Sequence, residues 1–229
     1  MLKAKKKISK RELKQDTLIT TLVKAENFFT QYKQYIYYTA VGVIVLIIVA
    51  FVYSNNRKAD EEKATMELTK INPMFQADQY ETAIKGIPEK NIMGLQKIVN
   101  NYGSSESGEH AKIYLANCYY ATGKIDEALK YYEDFGGSPL ELKAAALAGA
   151  ASCYEYKKDY KRAAELFEKA GNKYSSIPSA SENLINAARN YGLIGDKERA
   201  KMLLKKVKTE YPQSTEARDV DRLIALLPS

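Results

Sequence analysis

The chain has 229 residues, 45% hydrophobic and 28% charged, with only 6 prolines, which suits one folded domain plus an appendage and not two sizeable domains. Nine of its 35 basic residues but only three of its 28 acidic residues lie in residues 1–33, so the net charge of +7 belongs almost wholly to that leader and argues for no nucleic-acid-binding surface. One His, no Trp and two Cys argue against a metalloenzyme and a disulfide scaffold.

Residues 1–33 read as a basic cytoplasmic tail. Within it Leu18, Leu22, Ala25, Phe29, Tyr32 and Ile36 recur at spacings of three and four, an amphipathic helical stripe that reads either as a segment lying along an anionic leaflet or as a topology signal with no partner of its own. Residues 34–56 carry no charge, and their apolar heart runs from Ile36 to Tyr53. At about 1.5 Å per residue this stretch reaches about 27–35 Å, bracketing a hydrocarbon core of about 30 Å. Tyr35, Tyr37 and Tyr38 flank one end and Tyr53 the other, where amphipathic rings anchor at headgroups. The long leader and the lack of a small-residue cleavage site predict an uncleaved transmembrane signal anchor. The charge bias places the N-terminus in the cytoplasm and residues 57–229 on the far side.

The remainder contains an internal repeat. NCYYATGKIDEALKYYEDF (117–135) aligns with SCYEYKKDYKRAAELFEKA (152–170) at an offset of 35, and ARNYGLIGDKERAKMLLKKV (188–207) follows at a further 37. Ala116, Ala151 and Ala188 coincide, as do Tyr119, Tyr154 and Tyr191, then Ala128, Ala163 and Ala200, then Tyr132, Phe167 and Leu204. This pattern resembles the tetratricopeptide repeat, a helix–turn–helix of about 34 residues with W-x₂-L-G-x₂-Y…A-x₃-F…P. Lys112, Leu147 and Leu184 stand in the Trp position, and only the third copy keeps its closing proline, Pro212. The expected fold class is all-α, a tetratricopeptide-repeat α-solenoid preceded by a single N-terminal transmembrane helix. Full repeats are expected at about 109–143, 144–180 and 181–214, with a partial repeat at about 65–105. A capping helix over 214–227 carries Ala217, Val220, Ile224 and Leu227 on one face.

Chemistry-bearing motifs are sparse. Cys118 and Cys153 are repeat-equivalent, so they should sit about a helix diameter (~10 Å) apart, beyond the roughly 7 Å reach of a disulfide, and read as core thiols. His110 has no partner at ligand spacing, and neither the 103–108 loop nor Gly123-Lys124 matches a nucleophile elbow or phosphate loop. No enzyme activity, cofactor, metal site, nucleic acid or small-molecule substrate is expected. The expected function is protein binding in a groove lined by the first helix of each repeat. Helical phase assigns to it His110, Ile113, Asn117 and Tyr120, then Ala148, Ser152 and Tyr156, then Ile185, Arg189 and Leu193. Ile113, Ala148 and Ile185 fall where a carboxylate clamp would need polar groups. The groove therefore suits a helix or an extended apolar segment of another protein.

The ordered combination of a basic tail, the Phe28-Phe29 segment, an anchor beginning TAVGVIVLIIVAF, a polar helix and outward-facing repeats resembles the ancillary SecYEG translocon subunit family of bacteria (the YfgM-like proteins). The resemblance implies a cytoplasmic-membrane protein with a periplasmic domain. Its implied partners are translocon subunits, a periplasmic chaperone or foldase, and exported chains. It carries over no catalytic residue. Two other readings share the architecture: a periplasmic scaffold for cell division or outer-membrane assembly, and a membrane-bound sensor or regulator acting through a partner.

Overall fold

A computed structural model describes residues 10–227, with side chains from Thr20 onward except those of residues 21, 22, 25, 27 and 29. Residues 1–9 of the basic tail, and Leu18, Leu22, Ala25 and Phe29 of its amphipathic stripe, thus lie outside what is described. The chain divides into two units, residues 1–56 and 57–229.

The first unit is helical over its described residues and belongs to α1 (Lys10–Gln76). From Thr30 this helix is long and apolar enough to cross a membrane, and none of its apolar stretch is buried within the protein. Leu46 and Phe51 are about 70% exposed (69% and 71%), a state that water penalises and hydrocarbon does not. Tyr37 and Tyr38 pack edge to face at the start of the stretch, 5.8 Å between ring centres.

The second unit is all-helical apart from one minute hairpin. After the last turns of α1 come α2 (Tyr80–Lys85), strands β1 (Gly86–Ile87) and β2 (Ile92–Met93), and α3 (Leu95–Tyr102). The strands pair antiparallel, Gly86 opposite Met93 and Ile87 opposite Ile92. Gly86 (φ +81°) and Gly94 close this turn, and a Cβ on Gly94 would lie 2.3 Å from the Ile84 carbonyl oxygen.

Three helical hairpins follow: α4 (Glu106–Ala121) with α5 (Ile125–Glu133), α6 (Leu140–Tyr156) with α7 (Tyr160–Lys173), and α8 (Ala180–Leu193) with α9 (Lys197–Glu210). Each turns the same way. Gly123, Lys158 and Gly195 take positive φ at equivalent positions, and the next residue's N–H donates to the carbonyl of Tyr119, Tyr154 or Tyr191. Asp159 and Asp196 then cap α7 and α9, each carboxylate accepting from the N–H three residues on.

The repeat-signature residues form the interior. Ala116, Ala151 and Ala188, like Ala128, Ala163 and Ala200, are buried, which lets the helices of a hairpin and its neighbour approach closely; Tyr132, Phe167 and Leu204 fill the space between. Gly149 lets α6 lie on the Tyr132 ring, because a Cβ there would be 2.4 Å from its Cε1. Lys112, in the tryptophan position, is buried with its Nζ 2.9 Å from Glu109 and 3.0 Å from Asp134. Burial pulls the ammonium pKa down, and the two carboxylates more than restore it. Cys118 and Cys153 are free, fully buried thiols, their pKa values pushed up to about 12 by burial.

The single helix expected over 214–227 is instead a 3₁₀ turn (Glu216–Asp219) followed by α10 (Val220–Ala225), with Val220 buried against the third hairpin. The stretch 65–105, expected as a partial repeat, contains the end of α1, α2, the β turn and α3.

Candidate protein-binding face

The ten residues assigned to the groove by helical phase all lie on α4, α6 and α8. Their accessibilities separate them. Tyr120, Tyr156, Arg189 and Leu193 are exposed; Tyr156 and Leu193 end α6 and α8 at repeat-equivalent places, and Tyr120 lies one residue before the end of α4. Tyr156 is 64% and Leu193 54% exposed, so a large apolar surface remains unpacked at each.

His110, Asn117, Ala148, Ser152 and Ile185 are half-buried. The Nε2 of His110 is buried without a hydrogen-bond partner. Asn117 is occupied internally, its Oδ1 accepting from the Tyr132 hydroxyl at 2.5 Å. Ser152 donates back into its own helix, to the Ala148 carbonyl at 3.0 Å. Ile113 corrects the expectation. It is 3% exposed and belongs to the hydrophobic core, because α6 packs over α4 at that level, so it cannot offer a contact surface.

Ile185, Arg189 and Leu193 come together in a cavity of about 370 Å³ on the third hairpin. Its other walls are Leu204 from α9 and Leu223, Leu226 and Leu227 from the C-terminal segment, so most of the lining is aliphatic. Helical phase misses these four leucines because three lie beyond the repeats. The signal that could have found them is the Leu223/Leu226/Leu227 cluster, which has more apolar residues than one buried face can take. Leu226 is 66% exposed.

Arg189 does not leave a free positive charge beside this cavity. Glu155 accepts two hydrogen bonds from the guanidinium, and Asn190 adds a third to the same carboxylate. The arrangement is therefore chemically an apolar, tyrosine-bearing surface on which Arg189 is already paired. It can desolvate apolar side chains, and among the ten residues assigned to it none is an unpaired Lys or Arg that could seize a terminal carboxylate. Among the described residues no cluster of three or more His, Cys, Asp or Glu could hold a metal ion.

A tetratricopeptide repeat family model matches residues 111–137 and 182–214, the first and third hairpins. No curated protein matches the chain. The intervening hairpin, α6 and α7, keeps the same turn geometry and the same buried alanines, and so extends the repeat between the two matched segments. Tetratricopeptide repeats are protein-binding modules, which agrees with the apolar surface just described.

Proposed function

We propose that this protein is a membrane-anchored adaptor whose repeat hairpins bind segments of other proteins across the face of α4, α6 and α8. The observation that carries the reading is the pair of unpacked apolar side chains on that face, Tyr156 and Leu193, with the leucine-lined cavity that Leu193 joins. Apolar burial contributes about 25 cal/mol per Å², so covering this surface with a partner's apolar side chains is favourable where leaving it wet is not. The apolar stretch of α1, long enough to cross a membrane and not buried within the protein, supports the anchoring.

The finer assignment rests on the sequence resemblance. The protein is an ancillary translocon subunit of a bacterial cytoplasmic membrane, with a single pass, a cytoplasmic N-terminus and periplasmic repeats. It links protein export to periplasmic chaperones, without catalysis of its own. Affinity isolation of the full chain from mildly solubilised membranes tests this, with a Tyr156→Glu/Leu193→Glu variant run in parallel and both sets identified by mass spectrometry. Translocon subunits, a foldase or exported chains recovered with the wild type and lost with the variant are expected. Division or outer-membrane assembly proteins recovered instead would move the assignment to the scaffold reading, and identical recoveries from both forms would contradict binding at this face.

A further inference from the structure

A second concavity lies away from this face, between α5, α6 and α7, with a volume of about 480 Å³. None of Tyr120, Tyr156, Arg189 or Leu193 lines it. Its floor is aromatic and aliphatic, built by Phe135, Leu166 and Tyr174, and Leu140 at its edge is 49% exposed. Its rim is basic. Lys143 from α6 and Lys169 and Lys173 from α7 all line it, against one carboxylate, Glu133, which the Tyr154 hydroxyl already engages at 3.1 Å.

Among the described residues none of these three lysines has a carboxylate within ion-pairing distance, whereas nearby Lys112 and Lys157 do. Lys169 and Lys173 are one helical turn apart on α7, a spacing at which like charges repel. Lys173 is in the last turn and rests over the Tyr174 ring, 5.5 Å from its centre. The cleft thus combines an open apolar floor with a rim on which three ammonium groups from two helices outnumber one carboxylate.

We infer that this cleft is a second protein-docking site, which takes an acidic amphipathic segment of a partner: apolar side chains on the floor, carboxylates on either side against Lys143 and the Lys169/Lys173 pair. The charge placement selects this occupant. A fatty acyl chain carries its charge at one end only and would leave one side of the rim unpaired. A neutral apolar segment would leave all three ammonium groups unanswered, and a basic one would be repelled. This cleft and the α4/α6/α8 face share none of their exposed residues. One partner can then be held on each.

The test uses the full chain in lipid nanodiscs and a fluorescein-labelled synthetic peptide with a Leu-Phe pair flanked on each side by two glutamates, followed by anisotropy. Saturable binding is expected, weakening as salt is raised. Lys169→Glu/Lys173→Glu should weaken it by about tenfold or more, the scale on which a reversed charge pair acts at a docking site. Lys161→Glu/Lys205→Glu, which makes the same change in net charge on exposed lysines outside the cleft, should leave it unchanged, as should Tyr156→Glu. The milder Lys169→Gln/Lys173→Gln variant, carrying no new acid on α7, should fall between. No saturable binding, or an equal loss in the Lys161/Lys205 control, would overturn the inference. Phosphatidylglycerol vesicles binding through the same lysines and displacing the peptide would overturn it in favour of a lipid site.

Discussion

Arg189 on α8 reaches back one repeat to Glu155 on α6, its Nη2 2.9 Å from one carboxylate oxygen and 3.0 Å from the other. The pair ties the second hairpin to the third and removes a free cation from the binding face. Both side chains are partly exposed, so the pair is worth no more than about 1 kcal/mol of stability. Arg189→Gln should therefore lower the unfolding temperature only slightly and leave partner recovery nearly unchanged. A large loss of recovery would mean that the guanidinium contacts the partner directly, contrary to an apolar mode of binding.

Lys158 occupies the left-handed position of the second hairpin turn, φ +63°, where the other two hairpins have Gly123 and Gly195. An L-residue with a Cβ costs about 1–2 kcal/mol in that region, partly offset by the greater freedom glycine has in the unfolded chain. Lys158→Gly should accordingly stabilise the protein by about 0.5–1 kcal/mol, read as a rise in thermal unfolding temperature. Gly123→Ala and Gly195→Ala should do the opposite.

Gly149 touches the Tyr132 ring, and the Tyr132 hydroxyl in turn donates to Asn117. A methyl group at position 149 must push that ring aside, since its Cβ would sit 2.4 Å from two ring carbons. Overpacking of this kind costs about 1–3 kcal/mol, so Gly149→Ala should unfold several degrees below wild type by circular dichroism.

Glu61 on α1 reaches the N-terminal end of α4, its carboxylate accepting from the Ser107 N–H at 2.9 Å and the Ser107 hydroxyl at 2.6 Å, and from the Thr65 hydroxyl of its own helix at 3.1 Å. Burial alone would raise its pKa, but these hydrogen bonds outweigh it and hold the group below the ordinary value of 4.5. A depressed folded-state pKa contributes stability that is present above 4.5 and lost as pH falls through the folded value. Glu61→Gln should cost up to about 1 kcal/mol at neutral pH, and the gap from wild type should close as pH drops below 4.5. Urea unfolding across that range measures it.

The hairpins were legible because each one repeats small and large apolar residues at the same places, and those residues are the ones the interior buries: Ala116, Ala151 and Ala188 at one crossing, Tyr132, Phe167 and Leu204 at the next. Helical phase also finds Tyr156 and Leu193, which end their helices well exposed, and Tyr120, which is largely covered. It fails at Ile113, because phase names a face and cannot say which neighbouring helix lies over it. The β1–β2 turn leaves no signal in a two-residue strand, too short for alternation to register. The break between Glu216–Asp219 and α10 escapes for a related reason: the apolar spacing of Ala217, Val220, Ile224 and Leu227 fits a 3₁₀ turn joined to a short helix as well as one continuous helix. The basic cleft spreads over three helices from two hairpins, so no sequence window contains it.

The central claim is that the face of α4, α6 and α8 holds another protein. Photocrosslinking from positions 120 and 156 in native membranes, with position 205 on α9 as a control, tests it most directly. The account predicts discrete adducts at both groove positions, shared between them and absent at the control, with captured chains identifiable as export components. No adduct at either position, or the same adducts at position 205, would contradict it.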